Sequence, residues 1–176
     1  MNRKIRWGIL STAKIARMKV VPAMQKGSFC EVKAIASRDL NKANGTAQNL
    51  GIPKAYGSYE QLLNDPGIDA VYNPLPNHLH LEWTIKAMNA GKHVLCEKPV
   101  GMNTREALEL REAMLQHPHL KVGEAFMYRF HPQWEKVKSI IDDDIIGGVK
   151  TIHFFFPITI LIRKISGTGK KPVVVH

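Results

Sequence analysis

Short apolar runs recur along the first two thirds of the chain, each followed by a polar turn and a segment with helical spacing. Runs over residues 5–10, 31–36, 55–56, 68–73, 93–97 and 121–125 read as strands. The stretches between them read as helices. One spans 15–24 through Ile15, Ala16, Val20, Val21 and Met24, with Pro22 expected to bend or shorten it. A second spans 40–50 and is closed by Gly51. Helices over 59–63 and 81–90 follow, the latter capped by Gly91. Another starts at Thr104 and is expected to pack through Ala107, Leu108, Leu110 and Met114. Strands alternating with helices predict an α/β fold, a doubly wound parallel sheet. After a helix over 133–141, an apolar strand over 150–156 leaves the alternation. Residues 1–125 are therefore expected to form one domain, with 126–156 the start of a second α/β domain.

Composition narrows the class. The 176 residues are 44% hydrophobic and 23% charged, ordinary for a globular protein. No apolar run approaches the roughly 18 residues of a membrane span. The basic opening, 1–6, is followed by only four apolar residues before Ser11 and Thr12, too few for a signal-peptide core. Cys30 and Cys96 make no CxxC pair, and reduced thiols in a cytoplasmic protein are expected. The net charge of +10 is scattered, without a basic helix face or interleaved aromatics. Neither nucleic acid nor membrane is the expected partner. A basic surface also suits an anionic cofactor.

The candidate chemistry sits where strands end. Ser11, Thr12 and Ala13 make a small-residue turn between the first strand and its helix, the place where a helix N-terminus receives a pyrophosphate. The glycine positions of that fingerprint hold Ser11, Ala13 and Ala16, so the turn alone is a weak signal. Ser37 and Arg38 stand where an acid would bind an NAD ribose. A hydroxyl and a guanidinium suit a 2′-phosphate, which favours NADP over NAD. The competing reading makes Arg38 a solvated neighbour of Asp39. After the fourth strand, Pro74 and Pro76 hold a loop extended, with Asn77, His78 and His80 at its end. Two histidines with no further ligand at suitable spacing make a poor metal site, so no metal is expected and a cofactor-lining loop is preferred. The fifth strand runs into Glu97 and Lys98 before Pro99, placing a charged pair at a strand's carboxyl end.

Taken together, Trp7 to Ala13, Asp69 to Tyr72 with Pro76 to His80, Ala90 to Pro99, and Met127 to Pro132 resemble the Gfo/Idh/MocA family of oxidoreductases. The resemblance covers residues 3–156. It implies a two-domain NAD(P)-dependent enzyme that moves a hydride between nicotinamide and a carbinol carbon. Expected substrates are sugars, cyclitols or trans-diols, and the full-length form is expected to be a homo-oligomer. By position it makes Lys98 the active-site lysine and Glu97 an acid that contacts the cofactor. Pro76, Asn77 and His78 become the loop along the cofactor, and Ser11, Thr12, Ala13, Lys14 and Ile15 the pyrophosphate turn. Tyr128 and Arg129, with His131, fall near the domain junction, where they face substrate or pack a hinge. A non-catalytic dinucleotide-binding module or redox-sensing regulator is the alternative.

The resemblance stops at Phe156. Residues 157–176 are basic, end in Val173-Val174-Val175-His176, and have no foldable pattern. Codons can be chosen for 153–176 so that one added T in the phenylalanine run restores an Asn-Ile-Arg stretch leading into a glycine-rich segment, as in the family. A single-base loss is therefore expected, with 157–176 out of frame and the chain an inactive fragment. An unpaired Phe154-Phe155-Phe156 edge would then be prone to aggregate.

Overall fold

The computed structural model describes residues 3–153. The chain divides into two compact units, one ending at Met127 and one beginning at Tyr128. The expectations for 154–176, including the phenylalanine edge and the out-of-frame tail, lie outside the described residues.

The first unit is built on six strands: β1 (Ile5–Leu10), β2 (Cys30–Ala36), β3 (Lys54–Tyr56), β4 (Ala70–Asn73), β5 (His93–Cys96) and β6 (Val122–Glu124). Their order is β3-β2-β1-β4-β5-β6, and every pair is parallel. The order reverses between β1 and β4, so the loops leaving those strands diverge and open a crevice at the carboxyl edge.

Alternation explains why both faces are covered. Leu10, Ala34, Ala36, Val71, Val94 and Cys96 point into one buried cluster. Ile9, Ile35 and Tyr72 point into the other. Helices α3 (Tyr59–Leu63), α4 (His80–Asn89) and α5 (Thr104–Gln116) supply Leu62, Trp83 and Leu110 to the first cluster. Helices α1 (Val21–Lys26) and α2 (Leu40–Leu50) supply Val21 and Ala47 to the second. At Gly8 on β1, a Cβ would stand 2.5 Å from Leu62 Cδ2, so the missing side chain lets α3 lie close on the sheet. Helix α2 starts on Asp39, whose carboxylate accepts from the N–H groups of Asn41 and Lys42, and stops at left-handed Gly51 (φ 64°).

Three expectations are corrected. Pro22 does not shorten its helix, which runs on to Lys26. A π-helical turn, Ala16–Val20, precedes α1, and Val21 N donates to Ala16 O. The wider turn carries the helical path past a residue that has no N–H to give. Helix α5 packs through Leu110, with Glu106 and Ala113 half-buried, whereas Ala107, Leu108 and Met114 are exposed. Leu108 lies about 200° round the helix from Leu110 and cannot share its face. No strand forms over residues 150–153.

The second unit contains α6 (Pro132–Asp142), capped by His131, whose Nδ1 accepts from Gln133 N at 3.2 Å. The Tyr128 and Trp134 rings meet edge to face at 6.0 Å. No helix among the described residues is long and apolar enough to cross a membrane.

Candidate functional site

The loops after β1, β2 and β4 enclose a cavity of about 400 Å³ at the carboxyl edge of the sheet. Ser11, Thr12 and Ala13 line it from β1, Ser37 and Arg38 from β2, and Pro76 from β4. Ser11 takes φ 138°, a backbone that normally selects glycine. Its Oγ accepts from Ala13 N at 3.0 Å, folding the side chain back onto the turn. Serine therefore reproduces the bend of the glycine it replaces, at a cost in strain. Arg17 braces the turn from beneath, its Nε donating to Thr12 O at 2.9 Å and its N to Ala13 O at 3.1 Å. Lys14 and Ile15 begin the helical path behind the turn, where the first N–H groups have no intrahelical acceptor.

Ser37 is buried, and its Oγ accepts from Asp39 N at 3.3 Å. Arg38 is exposed and makes no hydrogen bond or ion pair among the described residues. Asp39 spends its carboxylate on the cap of α2. Lys42, in the first turn of α2, lines the same cavity, as do Tyr59 and Leu79. Sequence reading missed all three. For Lys42 a signal existed: a helix capped by Asp39 brings its first turn back beside the end of β2.

The remaining predicted residues are not in this cavity. His78 lines a separate one of about 370 Å³ with Glu82, Lys86, Glu106 and Glu109 of α4 and α5. Asn77 is exposed. His80 turns inward and is fully buried. Its ring nitrogens lie 2.6 Å from Pro99 O and 2.7 Å from Leu75 O, tying the loop after β4 to the loop after β5. Asn73, also fully buried, donates to His80 O and Thr84 Oγ1 and accepts from Leu75 N.

Glu97 and Lys98 follow β5 directly. Glu97 is half-buried, and its Oε1 accepts from the Tyr72 hydroxyl at 2.6 Å. Burial and the neighbouring carboxylate push the Tyr72 phenol far above its ordinary range, so it remains an O–H donor. Lys98 is exposed, and its ammonium has no partner among the described residues. Beneath the pair, burial pushes the Cys96 thiol up to about 12, which makes it inert. Tyr128 and Arg129 are exposed in the second unit.

A strained turn at a helix start, with Arg38 and Lys42, whose side chains form no ion pair among the described residues, all on one cavity, is complementary to a phosphate-bearing ligand. A family model described as oxidoreductase family, NAD-binding Rossmann fold, named GFO_IDH_MocA, matches residues 5–124. The chain belongs to this family. Among curated Gfo/Idh/MocA relatives, a D-xylose 1-dehydrogenase (NADP(+)) of Haloferax volcanii is 45% identical over 146 residues, covering 83% of this chain and 44% of the relative. A trans-1,2-dihydrobenzene-1,2-diol dehydrogenase of Xenopus tropicalis is 39% identical over 160 residues, covering 88% and 47%. The solved structure of KijD10, a 3-ketoreductase from Actinomadura kijaniata in complex with TDP-benzene and NADP, aligns with a TM-score of 0.76 at 37% identity, covering 82% of this chain and 45% of that one. The chain thus spans slightly less than half the length of the relatives it matches.

Proposed function

We propose that this chain carries the NADP-binding domain of an oxidoreductase that moves a hydride between nicotinamide and the carbinol carbon of a sugar, cyclitol or trans-diol. Residues 1–125 serve as the cofactor domain, and 126–156 open the substrate domain. The observation that carries the reading is the convergence of the Ser11–Ala13 turn with Arg38 and Lys42 on one cavity. The turn and helix start receive the pyrophosphate, while Ser37, Arg38 and Lys42 hold the 2′-phosphate. The bound cofactor supplies the hydride acceptor or donor. Lys98 supplies the proton chemistry: as the neutral amine its Nζ takes the hydroxyl proton when an alcohol is oxidised, and as the ammonium it gives that proton back when a carbonyl is reduced. Membership of the family supports this assignment, as do the NADP-linked names of two relatives.

The test is fluorescence titration of the chain with NADPH and NADH. NADPH should bind more tightly, and Arg38→Ala should remove most of that preference. Equal affinities in the unaltered chain would overturn the assignment to NADP. Turnover is assayed both on the chain as it stands and on a gene with the extra T restored. There, Lys98→Ala should abolish turnover and keep NADPH binding. An unchanged rate would remove Lys98 from its role.

A further inference from the structure

Glu97 and Lys98 are neighbours of opposite charge at the same strand end, yet they form no ion pair. Both lie just past Cys96, the last residue of β5, with Glu97 N still donating to Asn73 O of β4 at 3.0 Å. A lysine stem is long enough to bring its ammonium to a carboxylate one residue away. What occupies the carboxylate is Tyr72, from the neighbouring strand. Tyr72 lies opposite Leu95 in the β4–β5 register, and Glu97 follows Leu95 by two residues on the same face. The phenol therefore reaches past Leu95 to Glu97 Oε1 at 2.6 Å, the short distance of a hydrogen bond to an ionised acceptor. The other oxygen, Oε2, faces the backbone N–H of Lys98 at 3.4 Å.

We propose that Tyr72 is a positioning residue that holds the Glu97 carboxylate away from the Lys98 ammonium, so that the lysine stays free for the substrate oxygen and the acid stays turned to the cofactor. The inference rests on the role proposed for Lys98 and on the cofactor contact that the family resemblance implies for Glu97, but the hold itself belongs to the cofactor-free protein. Tyr72 is suited to it. Its ring is locked at zero exposure in the cluster with Ile9, Ala16 and Val21. The hydroxyl is thus aimed by packing, and Tyr72→Phe removes it with little change in shape.

The experiment measures acetylation of Lys98 by acetic anhydride at fixed pH, read by mass spectrometry, with exposed Lys26 as internal reference. A lysine newly paired to a carboxylate is less nucleophilic. In Tyr72→Phe the Lys98 rate relative to Lys26 should fall roughly threefold to fivefold, the worth of one exposed ion pair. Adding Glu97→Gln to Tyr72→Phe should restore it, which a merely loosened fold would not do. NADPH affinity of Tyr72→Phe should fall severalfold. An unchanged relative rate in Tyr72→Phe, or a slowing that Glu97→Gln does not reverse, would overturn the proposal. If the unaltered chain binds no NADPH, the proposed function fails, while the labelling result still decides the hold.

Discussion

Strand β5 is flanked by two lysines that could hardly differ more. Lys92, before it, is buried, and its ammonium donates to Asp65 O at 2.8 Å and Ile68 O at 2.9 Å. Lys98, after it, is exposed, and its ammonium has no partner among the described residues. The contrast extends along the sheet. At the amino edge, Asp69 accepts from Arg6 N, Arg6 Nε and Nη2, and Arg3 Nη2. Asp65 accepts from Lys54, Tyr56 and Gly67. At the carboxyl edge, Arg38 and Lys98 have no hydrogen-bond or ion-pair partner for their side chains among the described residues, and Ser11 is strained. One edge uses its charges to close the fold. The other leaves two of its cations unpaired among the described residues, where the proposed cofactor would meet them.

The sharpest break of this contrast exchanges each lysine for methionine. Lys92→Met leaves buried carbonyls short of a donor and should cost about 2 kcal/mol. Lys98→Met removes an exposed ammonium that forms no hydrogen bond or ion pair among the described residues and should stay within about 0.5 kcal/mol. Urea unfolding of both variants measures the difference. Equal costs would mean that the two edges are not specialised.

Acid should attack the amino edge first. The Lys54 ammonium, with the Gly67 N–H and Tyr56 hydroxyl, holds the Asp65 carboxyl at about 2, below its ordinary 3.8. The Arg6 guanidinium likewise holds Asp69 well below the usual range. A folded-state value below the unfolded one means stability that is present above about pH 4 and lost as pH falls toward 2. Melting followed by circular dichroism should therefore show Tm falling over that window. Asp65→Asn should start lower at neutral pH and fall less. An identical slope in the variant would clear Asp65 of the effect.

Much of this was legible in the chain. The end of α2 follows from Gly51, which closes its stretch, and the strand positions follow from runs bounded by turns. These are local signals, and the alternation alone implies a parallel sheet with a crevice at its carboxyl edge. What escaped depends on register between distant segments. Tyr72 and Glu97 are 25 positions apart and meet only because β4 and β5 pair as they do. The inward turn of His80 needs the carbonyl of Pro99, 19 positions on. The exposure of Leu108 shows that an apolar residue on a helix need not face the core.

The smallest effect tests whether the carboxyl edge stores strain. At the fingerprint position, Ser11 carries a Cβ into a φ of 138°, and its Oγ offsets part of the cost by accepting from Ala13 N. Ser11→Ala keeps the Cβ and loses the hydrogen bond. Ser11→Gly loses both. Glycine carries its own penalty, because it gives up more freedom on folding. The two variants lack the same hydroxyl, so their difference isolates the strained Cβ set against that penalty. Where φ is incompatible with a side chain, the strain is the larger of the two. Ser11→Gly should therefore be more stable than Ser11→Ala by about 1 kcal/mol. Urea midpoints of the pair read this directly. Alanine as stable as glycine would mean that the turn is relaxed, and that the two edges differ in charge but not in strain.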